Sequence, residues 1–356
     1  MTRAEGMNYA PKGKSRPVVQ AGEFKFAAAQ LDHGHIYGQC NGLLEAGAEI
    51  KYVYDPDPEK VRTFQETFPQ ARAAESLDQI LDDGEIQLVA AAAIPCDRGP
   101  VGMRVLDAGK DYFTDKSPFT TLAQLEEAKA KVAATGRKYM VYYAERLHQE
   151  AGFHAGELIR EGAVGDVVQV LIMAPHRLSR DKRPDWFFEK EKYGGILTDI
   201  GSHQFEQFLT YAGASDARVN LARVENFASP DKPGLEDFGE ASLTADNGAS
   251  CYCRVDWFTP DGLGFWGDGR VFVVGTKGTM EVRKYCDVTR QGSNKIFLVD
   301  GEGEKLIECK GRVAFPFFGQ LILDCLHRTE TAMTQKHAFK AAELSMLAQK
   351  MADEAQ

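Results

Sequence analysis

From Phe24 onward, short apolar runs alternate with longer stretches of helical period. FKFAAAQL (Phe24 to Leu31) is a buried-strand pattern that gives way to the helical stretch YGQCNGLLEAG. EIKYVYDPDPEKV predicts a strand ending at Asp55, then a helix capped by Asp57 with Pro58 at its first position. Val61, Phe64 and Phe68 share one face of that helix. SLDQ (Ser76 to Gln79) is a capping box, and IQLVAAAAIP is apolar enough to be buried on both sheet faces. A helix closing at Gly109, the strand DYFT, a helix opened by TLAQ and the strand KYMVYY complete the series. Strands and helices alternating at this spacing predict a parallel, doubly wound sheet.

After about residue 146 the rhythm changes. A helix from Gln149 to Arg160, closed by Gly162, leads into DVVQVLIMAPH. Longer strand-like segments follow with few helices between them: ARVNLARVENF, EASLTAD, ASCYCRVDWF, GRVFVVGTKGTMEVR and NKIFLVD. They predict an open, mainly antiparallel sheet with helices on one face. AFKAAELSMLAQKMADEAQ is amphipathic helix again. The expected fold is therefore α/β plus α+β. Residues 1–22 are expected as a tail or arm, 23–145 as the doubly wound domain, 146–335 as the open-sheet domain, and 336–356 as a C-terminal helix.

Composition narrows the partners. The 356-residue chain carries a net charge of −10 and no basic block that could track a phosphate backbone, which argues against nucleic acid. Its longest apolar stretch, LVAAAAIP, is far shorter than a membrane span, and the N-terminus has no apolar h-region. The seven cysteines include no C-x-x-C, the usage of reduced thiols in a cytoplasmic protein. Cys251 and Cys253 are expected to pack from one strand face into a core.

Three clusters could carry chemistry. The first is the crossing from strand to helix, AAAQLDHGHIYGQ, where a Rossmann turn carries G-x-G-x-x-G. Setting the third glycine on Gly34 puts Ala29 and Leu31 at the first two positions, and Leu31 would crowd a pyrophosphate. Asp32 adds negative charge that His33 and His35 could offset, while the helix N-terminus still offers amide donors. Asp55, 21 residues beyond Gly34, has the reach of an acid on the adenosine ribose and favours NAD over NADP. An α/β domain that binds no nucleotide remains the alternative. DHGH also suggests zinc, but no Cys or His pair elsewhere has ligand spacing, so it is read as the loop and no metal is expected.

The second cluster is YFTDKSP, with Lys116 just past the carboxyl end of a buried strand, where doubly wound sheets hold ligands. Lys116 is either a donor to a reacting oxygen or a solvated loop lysine. The third is GGILTDIGSHQFEQF, which places Asp199 and His203 at i, i+4 on one helix as an oriented general base or a surface pair. Gly201 inside that helix costs about 1 kcal/mol relative to alanine, which implies a close approach there.

Together these pieces resemble the glucose–fructose oxidoreductase / inositol dehydrogenase (Gfo/Idh/MocA) family from Phe24 to the final helix. AAAAIPCDRGPVGMRVLDAGKDYFTDK is similar to the family's strand, helix and strand leading to its Glu-Lys-Pro motif. HAGELIREGAVGDVVQV resembles the start of its second domain. GGILTDIGSHQFEQ matches its G-G-x-x-x-D-x-G-x-H signature, and GTKGTMEV its late glycine-rich turn. The resemblance implies a Rossmann domain joined to an open antiparallel sheet, and NAD(P)-linked oxidation or reduction of a carbinol on a sugar or cyclitol. It implies that Lys116 hydrogen-bonds the reacting hydroxyl, that His203 takes its proton, and that Asp199 holds the two in register. Pro95, Cys96 and Arg98 would line the dinucleotide. Arg146, His148, His176, Arg177, Trp186 and Trp257 are the pocket candidates, and the open sheet face a surface for a homo-oligomer, dimer or tetramer. Two departures stand out: the degraded glycine loop, and Ser117 intervening between Lys116 and Pro118.

The leading expectation is an NAD-dependent dehydrogenase of a sugar, sugar derivative or cyclitol. A second keeps a tightly held NAD that is recycled within one turnover, for epimerisation, elimination or glycoside cleavage. A third is a non-catalytic sugar-binding protein on the same scaffold, since fold alone does not fix function.

Overall fold

The computed structural model describes residues 16–355 apart from 288, 290 and 291. The part of the predicted tail before residue 16 lies outside the described residues. The chain divides into two compact units: one runs to Tyr142 and takes back Ala314–Phe339, the other holds Tyr143–Val313 and the chain from Lys340.

The first unit contains β1 (Lys25–Ala29), α1 (His35–Glu45), β2 (Glu49–Tyr54), α2 (Pro58–Thr67), β3 (Arg72–Ala73), α3 (Leu77–Asp82), β4 (Leu88–Ala91), α4 (Pro95–Asp107), β5 (Asp111–Asp115), α5 (Leu122–Thr135) and β6 (Tyr139–Tyr142). Its six strands lie in the order β3-β2-β1-β4-β5-β6, every pair parallel, which is the order of a Rossmann sheet. The caps read from sequence are in place. The Asp57 side chain accepts from Glu59 N, with Pro58 opening α2, and Ser76 Oγ accepts from Gln79 N at 3.1 Å. Phe64 and Phe68 are buried, with Val61 at the margin.

The central strands use alanine so that helices can approach, and Ala27, Ala28, Ala29, Ala90 and Ala91 are fully buried. The same logic governs α1. A Cβ at Gly38 would strike the Tyr142 hydroxyl, and one at Gly42 the ring of Phe318. Phe318 belongs to a helix that the pattern did not predict, Phe317–His327. Between Val18 and this unit, Val18 N donates to Ala46 O at 2.9 Å and Val19 is buried. The edge strand β6 is covered by one side chain: Gln335 Oε1 accepts from Tyr139 N at 2.9 Å and its Nε2 donates to Tyr139 O at 2.6 Å.

The second unit opens with α6 (Ala144–Leu147), α7 (Glu150–Arg160) and β7 (Val167–Pro175). Next come α8 (Lys190–Tyr193), α9 (Ile196–Asp199) and α10 (Gly201–Ala212). Seven strands follow: β8 (Ala217–Glu225), β9 (Phe238–Ala245), β10 (Ser250–Asp256), β11 (Arg270–Gly275), β12 (Gly278–Arg283), β13 (Lys295–Asp300) and β14 (Gly303–Glu308). The eight strands lie in the order β14-β13-β12-β11-β7-β10-β9-β8, antiparallel except where β10 meets β7. One sheet face is buried through Val170, Ile172, Cys251, Cys253, Val271 and Val282, with α10 packed on β7 and β10. The strand-like segment GRVFVVGTKGTMEVR is a hairpin, β11 and β12, turning at Thr276 and Lys277 within the glycine-rich turn that the resemblance implied.

The helix Phe317–His327 is α11, and the final helix, α12 (Gln335–Asp353), is shared between the units. Among the described residues no helix is long and apolar enough to cross a membrane.

Candidate active site

In the first unit the loop from β1 to α1 turns at Gln30, which has φ of 55°, and reaches Gly34 as the N-cap of α1. Asp55, at the end of β2, staples this loop: its carboxylate accepts from Leu31 N at 2.6 Å and Asp57 N at 2.9 Å. Burial pushes the Asp55 carboxyl above its usual range, more than these two N–H groups and Lys60 pull it back. His33 N donates to Ala92 O at 3.0 Å and His35 N to His33 Nδ1 at 3.2 Å. The N–H groups of Asp32 and Gly34 meet no protein acceptor among the described residues. Two amides at a helix N-terminus beside a strand-end carboxylate suit a pyrophosphate and an adjoining ribose. The loop thus fits a dinucleotide without its first two glycines.

The carboxyl end of β5 carries Asp115, which is fully buried and central to a charged cluster. His35 Nδ1 lies 2.8 Å from Oδ1; His33 Nδ1 and Arg98 Nη2 each lie 3.1 Å from Oδ2. Lys116 N also donates to Oδ1 at 2.8 Å. Burial alone would raise the Asp115 carboxyl, but His35, Arg98 and His33 outweigh it and hold it well below the usual range. Burial, then the neighbouring His35, lower His33 to about 3 despite Asp115. Arg98 is 1% exposed, and its remaining donors reach the carbonyls of Ala93, Lys116 and Ser117. It therefore grips the segment after β5. The Lys116–Ser117 peptide is cis, and Lys116 is 6% exposed. Pro95 opens α4, and Cys96 O accepts from Gln124 Nε2 at 2.8 Å.

The second unit builds a different polar cluster around α6 and α10. Asp199 and His203 are both buried, but on two helices that meet at Ile200, where His203 N reaches Ile200 O. Ile200 itself keeps helical angles, φ −70° and ψ −42°, so the expected helical run continues through it with one tightened turn. The close approach at Gly201 comes from the protein itself: a Cβ would lie 3.3 Å from the Phe205 ring. His203 sits edge-on to Tyr143 with ring centroids 6.3 Å apart. Arg146 Nε makes a fork to both Glu206 oxygens at 2.9 and 3.0 Å. Glu145 pairs with Lys284 Nζ at 3.2 Å and with His176 Nε2 at 3.4 Å, and Gln204 Nε2 donates to it at 3.3 Å. Burial would raise Glu145, but Lys284, His176 and His203 together outweigh it and the carboxyl lies well below its usual range; burial lowers Lys284 in turn.

His176 is flanked by aromatic rings, Trp266 at 4.6 Å and Trp257 at 5.6 Å, and Tyr285 lies 4.5 Å from Trp266. His176 and Trp257 thus share one aromatic cluster, while Arg146 is held by Glu206. His148 is fully buried after α6. Arg177 Nη2 instead donates to the carbonyls of Pro260, Leu263 and Phe265, clamping a loop. Trp186 lies in a short 3-10 helix, its ring 6.0 Å from that of Phe187, which in turn sits edge-on to Trp257 at 5.2 Å. The sequence reading missed Glu145, Glu206, Lys284, Trp266 and Tyr285. Glu145 adjoins Arg146 and was within reach; Lys284 stands 139 positions from its partner, with no local signal.

The sheet order and the loop after β1 are those of a nucleotide-binding domain, and comparison with known proteins gives the class, an oxidoreductase with an NAD-binding Rossmann domain. Residues 27–143 match the model of the oxidoreductase family with an NAD-binding Rossmann fold, and residues 154–281 the GFO/IDH/MocA C-terminal domain. The chain belongs to the Gfo/Idh/MocA family. A crystal structure of a protein from Erwinia carotovora atroseptica, classed as an oxidoreductase, is 49% identical, with TM-score 0.90 over 93% of this chain and 99% of that one. An uncharacterised oxidoreductase of Synechocystis is 23% identical over 64% of this chain and 63% of its own length. The D-xylose dehydrogenase of Paenarthrobacter nicotinovorans is 24% identical over 45% of this chain and 43% of its own. The chain thus spans less than two thirds of these curated relatives. A levoglucosan dehydrogenase in complex with NADH and levoglucosan shares the fold at 15% identity, with TM-score 0.77 over 94% of this chain and 98% of that one.

Proposed function

We propose that this chain is an NAD-dependent dehydrogenase that passes a hydride between nicotinamide and a carbinol or ketone of a sugar, sugar derivative or cyclitol. The observation that carries this reading is the fixing of Lys116. Asp115 holds its N–H, Arg98 holds its carbonyl, and the residue is only 6% exposed. A solvated loop lysine needs none of this. NAD, when bound, supplies the hydride acceptor; Asp55 would hold its adenosine ribose and the amides of Asp32 and Gly34 its pyrophosphate. The Asp55 charge disfavours the 2′-phosphate of NADP.

In this reading Lys116 donates a hydrogen bond to the reacting oxygen, His203 takes the hydroxyl proton, and Asp199 keeps both groups in register. The aromatic wall of Trp257, Trp266 and Tyr285 offers apolar faces to sugar C–H groups, and the nearby charges are already paired as Arg146–Glu206 and Glu145–Lys284. That balance suits a neutral polyol. Arg177 supports the pocket through its loop. Ligand-type atoms of His33, His35 and Asp115 lie within 4.8 Å of one another, but the Arg98 guanidinium on the same carboxylate opposes a cation, so we read no metal site.

The homo-oligomer is proposed on a cross-strand row of the uncovered sheet face, in which Leu306, Phe297, Tyr252 and Leu221 are exposed. A Leu306→Arg, Tyr252→Arg variant should sediment as a monomer; a wild-type monomer would remove this part.

The test of the function is calorimetric titration of the purified chain with NAD and NADP, after denaturing a sample to release any bound nucleotide. Neutral aldoses and cyclitols are then screened for NADH formation at 340 nm. Tight or co-purified NAD with polyol-dependent NADH supports the reading, and no binding at millimolar nucleotide overturns it. NAD that stays bound without NADH accumulating would favour recycling within the turnover.

A further inference from the structure

We infer that Lys60 is the residue that keeps the degraded glycine loop fit for a pyrophosphate, by neutralising Asp32. The inference rests on the reading of that loop as the dinucleotide site. It adds a positioning residue that acts through another side chain.

The difficulty lies in the loop's own charge. In G-x-G-x-x-G the turn presents backbone amides and no side-chain charge. Here Asp32 carries one of the two amides that meet no protein acceptor, so a pyrophosphate drawn to that N–H also meets the carboxylate on the same residue. Asp55 adds a second carboxylate at the loop's edge, tied to Leu31 N. Two negative groups at a site for a dianion would oppose binding.

The structure places one ammonium against both. Lys60, in the first turn of α2, sets its Nζ 2.6 Å from Asp32 Oδ1 and 3.8 Å from Asp55 Oδ1. Asp32 is 14% exposed and Asp55 3%, while the lysine is 37% exposed, so the carboxylates are partly shielded from water and the lysine stem reaches in from outside. His33 and His35 could have played this part, but both rings turn to Asp115. With α2 started by Asp57 and Pro58, the position three residues after its cap faces the loop. Lys60 thus leaves the loop's amides as its net signal to an anion.

The dissociation constant of NAD, read by calorimetry on the full chain, tests this with Lys60→Met, Lys60→Gln, Asp32→Asn and the Lys60→Met, Asp32→Asn double variant. Lys60→Met and Lys60→Gln should each weaken NAD about 5- to 10-fold at low salt, and less at high salt where the charges are screened. Asp32→Asn alone should bind at least as tightly as wild type. The double variant should return to within about twofold of Asp32→Asn, because the charge that Lys60 touches is gone and Asp55, farther from it and tied to backbone N–H groups, keeps its place. Unchanged binding in both single lysine variants overturns the inference. A double variant as weak as Lys60→Met also overturns it and makes Lys60 a direct nucleotide ligand. Wild-type protein that fails to bind NAD overturns the dehydrogenase reading first, which separates the two failures. Melting temperatures close to wild type in all variants confirm that binding, and not folding, is measured.

Discussion

His35 Nδ1 lies 2.8 Å from the Asp115 carboxylate, joining the first residue of α1 to the last residue of β5. The contact couples the dinucleotide loop to the strand that delivers Lys116, and Arg98 and His33 share the same carboxylate. Asp115→Asn keeps the shape but leaves the buried Arg98 guanidinium without its counter-charge. Breaking one side of a buried ion pair costs about 3–5 kcal/mol. Chemical denaturation at neutral pH should show a loss of that order. A loss below about 1 kcal/mol would mean that the cluster is held by packing and not by charge.

His33 makes the stability of this unit depend on pH. The unfolded ring binds a proton near its ordinary 6.5, the folded ring only near 3. Between those values the unfolded state holds more protons, so the contribution of the neutral ring is complete above pH 6.5 and is lost as pH falls toward 3. The slope is at most about 1.4 kcal/mol per pH unit. Asp115 acts lower: its folded carboxyl is depressed, so its share persists down to the ordinary carboxylate range and fails only as pH drops through the folded value. His33→Gln should flatten the stability profile between pH 6.5 and 4.5 relative to wild type. Parallel profiles would show that the ring is solvated in solution.

How much was legible follows from the range of each interaction. The parallel sheet rests on local signals, such as Asp57 before Pro58 and the alanine runs of β1 and β4, and these could be read directly. The helix Phe317–His327 went unread although FFGQLILDCLH spaces its polar residues Gln320, Asp324 and His327 at i, i+4 and i+7, because its high apolar content masks that period. The tightened turn at Ile200 is equally silent, since Ile196 to Ala212 carries one continuous helical period and only the bond from His203 N marks it. Of the residues proposed for catalysis, Lys116, Asp199 and His203 stood out by their motifs. The charges that surround such residues did not: Lys284 reaches Glu145, and Lys60 reaches Asp32, across chain separations that only folding closes.

The proposed division of labour between Lys116 and His203 gives the last prediction. Each should contribute mainly where charge moves on the reacting oxygen, so Lys116→Ala and His203→Ala should each lower kcat about 10²-fold or more, the scale of a positioned acid–base group. In the same proposal Asp55 holds the nucleotide, so Asp55→Ala should chiefly raise the KM for NAD, with kcat nearly kept. The contrast matters more than either value. A merely structural lysine or histidine would lower stability and alter kcat and KM together, whereas loss of a group acting in the chemical step lowers kcat in a protein that still binds NAD with the wild-type constant. Wild-type turnover in both Lys116→Ala and His203→Ala, with a polyol substrate in hand, would remove these residues from the chemistry and leave the non-catalytic sugar-binding reading as the better account of the scaffold.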